Sequence, residues 1–227
     1  MNAQPVCAEF SRRRLTSGRV ITVVCAAAAS ALLLGCGNGA GETPRPTESP
    51  TPAATPTVSP TADPTLSADQ ADRKDLISAT KIGYDKAAEA AVGKVSGSKL
   101  VDIELKYARD GGPEWATEVA TTDGTAHTGR VDAVSGKVVE SQLATHQGVD
   151  DERELADVLA KAKVSWKDAV GKALAKRKGT VTSVELGTEN GTPTWIVDVV
   201  TTKDWLKTTF DVDAMNGTIR HEEVDRD

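Results

Sequence analysis

The residues whose types and spacing suggest chemistry are few, and none is framed for catalysis. Ser96-Gly97-Ser98-Lys99 has the Ser-x-x-Lys spacing of acyl-transfer nucleophiles. That chemistry places the serine at a helix start with further motifs downstream, whereas here it lies between a helical and a strand period. Asp211, Asp213 and Glu222 fall at positions one, three and twelve of a calcium loop. Position five is Met215, however, and position six is Asn216, where glycine is required. His127, His146 and His221 are far apart, with no partner at ligand spacing, so a zinc site is unsupported. No nucleophile elbow or Gly-rich phosphate loop surrounds any Ser, His or Asp. The expectation is a noncatalytic protein without metal or cofactor.

Near the start of the chain the chemistry is of another kind. Arg12, Arg13, Arg14 and Arg19 precede an apolar run from Val20 to Leu34, a basic segment followed by a hydrophobic one, as in export signals. The run is too short for a comfortable membrane span, which needs about 20 apolar residues. Leu33-Leu34-Gly35-Cys36 resembles the lipobox of bacterial lipoproteins. That resemblance implies a signal peptide over 1–35, cleavage before Cys36, acylation of Cys36, and anchoring at the extracytoplasmic face of the cell membrane. Cys25 follows the β-branched Val24 and is set aside. Ser11 to Leu15 also resembles a twin-arginine signal, which leaves the export route open.

Loss of 1–35 removes Cys7 and Cys25, so the globular part has no disulfide. It also removes four Arg and one Glu, taking the formal charge from −6 to −9. Such a balance disfavours nucleic acid as a partner, because that affinity comes chiefly from Lys and Arg on phosphates. Residues 36–66 carry seven prolines among Thr, Ser, Ala and Glu and predict a disordered, extended tether.

The remaining residues divide into repeats over 67–146 and 147–227. Trp115 and Trp195 are 80 residues apart, and the turns Val131-Asp132-Ala133-Val134-Ser135-Gly136 and Val212-Asp213-Ala214-Met215-Asn216-Gly217 are 81 apart. Helical spacing predicts one helix in each copy, over about 67–94, with Gly83 as a candidate interruption, and over about 151–178. Alternation then predicts strands, beginning with Val101, Ile103, Leu105 and Tyr107. Each copy reads as a helix followed by about four antiparallel strands, an α+β arrangement with the helix packed on a small sheet. Whether the two sheets join is left open. Trp195 to Val200 is apolar on both faces and predicts a central strand, and Trp115, Trp166 and Trp195 fall on core faces.

With the helix, the tryptophan and the Val-Asp-Ala-x-x-Gly turn in hand, each copy resembles the PepSY domain. The carrying residues are Tyr84 to Ala91, Trp115 and Val131 to Val138 in one copy. In the other they are Trp166 to Leu174, Trp195 to Val199 and Phe210 to Ile219. The resemblance implies a noncatalytic, secreted or membrane-attached unit. Because such units occur in propeptides of thermolysin-like metallopeptidases, it also implies binding or restraint of a peptidase. The tandem lobes are similar in architecture to the β-lactamase inhibitory proteins of actinobacteria. A departure is that the first copy has His127 and Gly129 where the second has Thr208 and Phe210.

Asp132, Gly136, Asp213 and Gly217 read as turn chemistry: a short carboxylate accepts from following amides and glycine supplies positive φ. Trp205 differs, since the repeat places Gly124 at its position. With Lys203 and Asp204 it forms the candidate partner-binding tip, because aromatics on exposed turns are common anchors; the competing reading folds Trp205 back over Leu206 or the helix. The leading expectation is a lipid-anchored extracytoplasmic module that binds or inhibits a peptidase or another envelope protein. The alternative is a structural or sensory lipoprotein whose acidic surface binds cations or cell-wall polymer.

Overall fold

A computed structural model describes residues 66–226. The expected signal peptide, Cys36 and all but the last residue of the tether lie outside the described residues. Among the described residues no helix is long and apolar enough to cross a membrane.

Each copy begins with two helices rather than one. In the first, α1 (Ala68–Ala79) and α2 (Tyr84–Val92) precede β1 (Lys99–Tyr107), β2 (Pro113–Ala120), β3 (Ala126–Asp132) and β4 (Val138–Leu143). In the second, α3 (Val149–Lys161) and α4 (Trp166–Lys176) precede β5 (Thr180–Glu189), β6 (Thr192–Val200), β7 (Lys207–Asp213) and β8 (Ile219–Asp225). Tertiary hydrogen bonds cause the break between helices. The amides of Lys81 and Ile82 both donate to the Ala133 carbonyl, and those of Lys163 and Val164 both donate to the Ala214 carbonyl. An amide that donates to another element has left the i−4 ladder, so the helix ends there. Gly83 begins α2, whereas Ser165 caps α4 by accepting from the Asp168 amide.

The two four-stranded meanders join into one antiparallel sheet in the order β4-β3-β2-β1-β5-β6-β7-β8. The α+β expectation holds, with a sheet twice as wide as each copy supplies. At the junction Ile103 pairs with Val184, its own repeat equivalent 81 residues on. Residues paired with their equivalents in this way imply a local twofold axis between them. Tyr84 and Trp166, equivalent first residues of α2 and α4, also meet across it, with ring centroids 6.0 Å apart at 81°. This edge-to-face geometry suits aromatic quadrupoles.

All the buried apolar side chains except Val200 belong to one core between the sheet and the helices, running through both repeats. Trp115 and Trp195 are buried in it, and each indole N–H donates to the interhelical link, Trp115 to the Ile82 carbonyl and Trp195 to the Val164 carbonyl, both at 2.8 Å. The central position expected for the Trp195 strand is β6, between β5 and β7. Trp166 is half-buried and packs against the core from α4.

Candidate functional site

The shared turn motif is fully occupied in holding the scaffold. Asp132 accepts from the amides of Val134 and Ser135 at 3.1 and 2.6 Å, and Gly136 follows at φ 74°. The Ser135 contacts hold its carboxyl below the usual carboxylate range. Asp213 accepts from the Met215 amide at 2.7 Å and the Asn216 side chain at 2.8 Å, pairs with Arg220, and is followed by Gly217 at φ 78°. Burial pushes the Asp213 carboxyl up, but the Met215 amide and Arg220 together outweigh it and leave the group lowered. The calcium-loop spacing is therefore a hairpin in which Arg220 already neutralises Asp213. Ser96 lies in the turn from α2 to β1 and Lys99 opens β1. His127 is on β3, His146 is in the β4–α3 connection and His221 is on β8.

The candidate tip Lys203–Trp205 forms the β6–β7 turn. Lys203 is exposed, whereas Asp204 and Trp205 are half-buried. The Asp204 carboxylate accepts from the Thr201 hydroxyl and, at 3.2 Å, from the Leu206 amide; the Thr201 contact is the main reason its carboxyl is lowered. Trp205 has φ 55°, uncommon for a bulky side chain, and its equivalent Gly124 has φ 91°. The turn is held by α1. Gln70 Nε2 donates to the Asp204 carbonyl at 3.1 Å, Arg73 Nη1 donates to the Trp205 carbonyl at 3.3 Å, and Arg73 Nη2 reaches Asp225 at 2.5 Å. The arrangement is reciprocal, since Gln147, just before α3, brackets the β2–β3 turn by donating to the Gly124 carbonyl at 2.7 Å and accepting from the Ala126 amide at 2.9 Å. Each repeat's first helix thus clasps the other repeat.

The sheet face turned away from the helical core was missed as a site by sequence reasoning. On its three central strands register sets Glu118, Asp102 and Glu185 in one row across β2, β1 and β5. Strands about 4.8 Å apart put three carboxylates within roughly 10 Å. Burial first, then Glu185, Glu104 and Glu118, hold Asp102 well above the usual carboxylate range, with Lys106 opposing; burial and Glu185 raise Glu118. The twofold-related row is Asp198, Ser183 and Glu104, in which a serine replaces the middle carboxylate. Beside the first row lies a solvent-open hollow of about 360 Å³, lined among others by Asp102, Glu104, Lys106, Glu118, Arg130 and His146. Arg130 is held by Glu140 at 2.6 Å and Glu114 at 3.2 Å. In the sequence these carboxylates were only the polar half of alternating strands, and nothing but cross-strand register brings them together.

The peptidase propeptide and YPEB domain family, PepSY, matches residues 81–142 and again 163–223. The chain belongs to the PepSY family. Both matches begin at the interhelical link, so α1 and α3, the two clasping helices, lie outside them. No curated protein matches the sequence. Among solved structures the chain is similar to a Clostridium difficile 630 protein described as a candidate lipoprotein, at 19% identity and a TM-score of 0.41 over 64% of this chain and 95% of that one. It is also similar to the YpmB protein from Bacillus subtilis, at 17% identity and a TM-score of 0.28 over 64% and 99%.

Proposed function

We propose that this PepSY protein is a noncatalytic binding module, held by a lipid on Cys36 at the extracytoplasmic face of the cell membrane, which binds or inhibits a peptidase or another envelope protein. The carrying observation is the fusion of two PepSY units into one antiparallel sheet whose core lies between the sheet and the helices. The tryptophans and turn aspartates of the motif are spent on that scaffold, so recognition falls to surfaces outside the motif. The β6–β7 turn with Lys203, Asp204 and Trp205 is one such surface and the sheet face turned away from the helical core is the other. The lipobox and the proline-rich tether support anchoring at a distance from the bilayer.

Full-length protein in detergent, titrated against thermolysin-like metallopeptidases and passed over an envelope extract, tests the binding role. Saturable inhibition, or retention of an envelope protein that weakens with Trp205→Ala, is expected. If neither occurs, the reading fails. Mass spectrometry of Cys36 and membrane fractionation of Cys36→Ser test the anchor, with release of the variant from the membrane as the expected result.

A further inference from the structure

Among the described residues the sheet ends in two edge strands, β4 and β8, and the two repeats finish them differently. Both carry a bulge at the same place, so the side chains make the difference. Where β4 reads Val139-Glu140-Ser141-Gln142-Leu143, β8 reads Arg220-His221-Glu222-Glu223-Val224. Charged side chains on an edge guard it against pairing with another chain. On β8 Glu222 is also tied to Arg177 at 3.2 Å, and Arg73 of α1 reaches Asp225. The β4 strand carries a single charge, Glu140, which Arg130 already holds at 2.6 Å. The three most exposed large apolar side chains among the described residues, Val139 at 56%, Leu143 at 61% and Val149 at 70%, all lie on this strand or just beyond it.

The backbone there is turned to take a further strand. The Ala144 amide donates to the Ala126 carbonyl on β3, and alternate residues of an antiparallel strand direct their N–H and C=O groups to the same side. Gln142 and Glu140 therefore face β3, whereas Ser141 and Leu143 turn theirs outward.

We infer that β4 pairs antiparallel with β4 of a second copy of this chain, about a twofold axis at Ser141, joining two eight-stranded sheets edge to edge. A twofold contact needs a surface that complements itself, and this register supplies one. Val139 lies opposite Leu143 of the second copy, Glu140 lies opposite Gln142, and the two Ser141 residues exchange backbone hydrogen bonds. Like charges directly opposite each other destabilise a sheet. Moving the axis to Glu140 would set two carboxylates face to face, and the same register on β8 would do so with Glu222. The join repeats one already present within the chain, where β1 and β5 pair antiparallel with Ile103 against its repeat equivalent Val184. This dimer is independent of the binding role proposed above.

Sedimentation of full-length protein in detergent over a series of protein concentrations, with hydrogen exchange read at the β4 amides, tests the pairing. A monomer–dimer equilibrium is expected, in which the Ser141 and Leu143 amides gain protection as dimer forms while those of Gln142 and Ala144 are protected throughout. Ser141→Glu copies the second repeat and is expected to weaken dimerisation about tenfold while melting no lower than the parent. Ser141→Pro removes an outward amide that β3 does not use and should weaken it at least as much. Protein that stays monomeric at every concentration would overturn the proposal, as would a dimer that neither variant weakens. Monomeric protein that retains an envelope protein, and releases it in both variants, would also overturn it and assign the edge to a foreign strand.

Discussion

Gly124 and Trp205 occupy the same place in the two repeats, and both backbones turn there through positive φ, yet the helices they meet are held differently. A Cβ on Gly124 would lie 1.8 Å from the Glu152 carbonyl oxygen, so the α3 backbone rests directly on the first repeat. That helix also buries Leu155, Val158 and Leu159, whereas α1 has no buried residue, packs Leu76 and Ile77 only partly buried against the core, and reaches the turn by Gln70 donating to the Asp204 carbonyl and Arg73 to the Trp205 carbonyl. At the turn itself one clasp is closed by backbone packing and the other by side-chain hydrogen bonds. A position occupied by glycine in one copy and tryptophan in the other therefore marks a difference in attachment, while the turn itself is the same.

A parallel contrast lies on the third strands, where Phe210 is fully buried and its equivalent is Gly129. Phe210→Ala is expected to have the largest effect, a loss of about 3–5 kcal/mol by urea denaturation as a core cavity opens. Gly129→Phe does not restore symmetry, because its Cβ would meet the Glu140 carbonyl and the Thr117 hydroxyl, both at 2.9 Å. Next comes exchange at the turns. Gly124→Trp should cost more than about 3 kcal/mol by forcing α3 off the sheet, and hydrogen exchange should show α3 opening first. Trp205→Gly should change stability by only about 1 kcal/mol, since relief of positive φ offsets lost packing.

Smaller still is the contrast between the turn carboxylates. Asp213→Ala should cost about 2 kcal/mol because it strands Arg220 and the Met215 amide. Asp132→Ala, at the exposed copy of the turn, should cost less in the same thermal melts. The smallest effect has the opposite sign, with Asp102→Ser expected to stabilise by up to about 1 kcal/mol at neutral pH. Asp102 and Glu118 have raised carboxyls, so the folded state binds protons before the unfolded chain does. Their contribution to stability therefore rises as pH falls from neutral toward the ordinary carboxylate range. Asp213 acts in the other direction, contributing stability that is lost as pH falls through its lowered value. A comparison of melting temperature against pH should show the first trend shrinking in Asp102→Ser.

The repeat, the strands and the core tryptophans were legible because periodicity and duplicated spacing are local properties of the chain. The break at Ala162–Ser165 was missed, since Ala162, Lys163 and Val164 continue the helical spacing and the distant Ala214 carbonyl that takes their amides leaves no local trace; the Ser165 cap of α4 was the one signal in the sequence that could have found it. The continuous sheet was equally hidden, because the pairing of β1 with β5 has no signature beyond half-buried alternation. The carboxylate row depends on that pairing and so was invisible until register was known. Trp205 was legible as an oddity of the repeat, but its half-buried place beside α1 depends on a helix more than 120 residues earlier in the chain.

The crossed clasp of α1 has a mechanical consequence. Tension entering the described residues at Leu66 is carried first by α1, whose polar contacts at Gln70 and Arg73 run to Asp204, Trp205 and Asp225 in the second repeat. A pull on the amino-terminal side is thus transmitted to the carboxy-terminal half of the sheet, through the less tightly packed of the two helices. With no fully buried side chain of its own, α1 is the element expected to yield to such a pull before either core does.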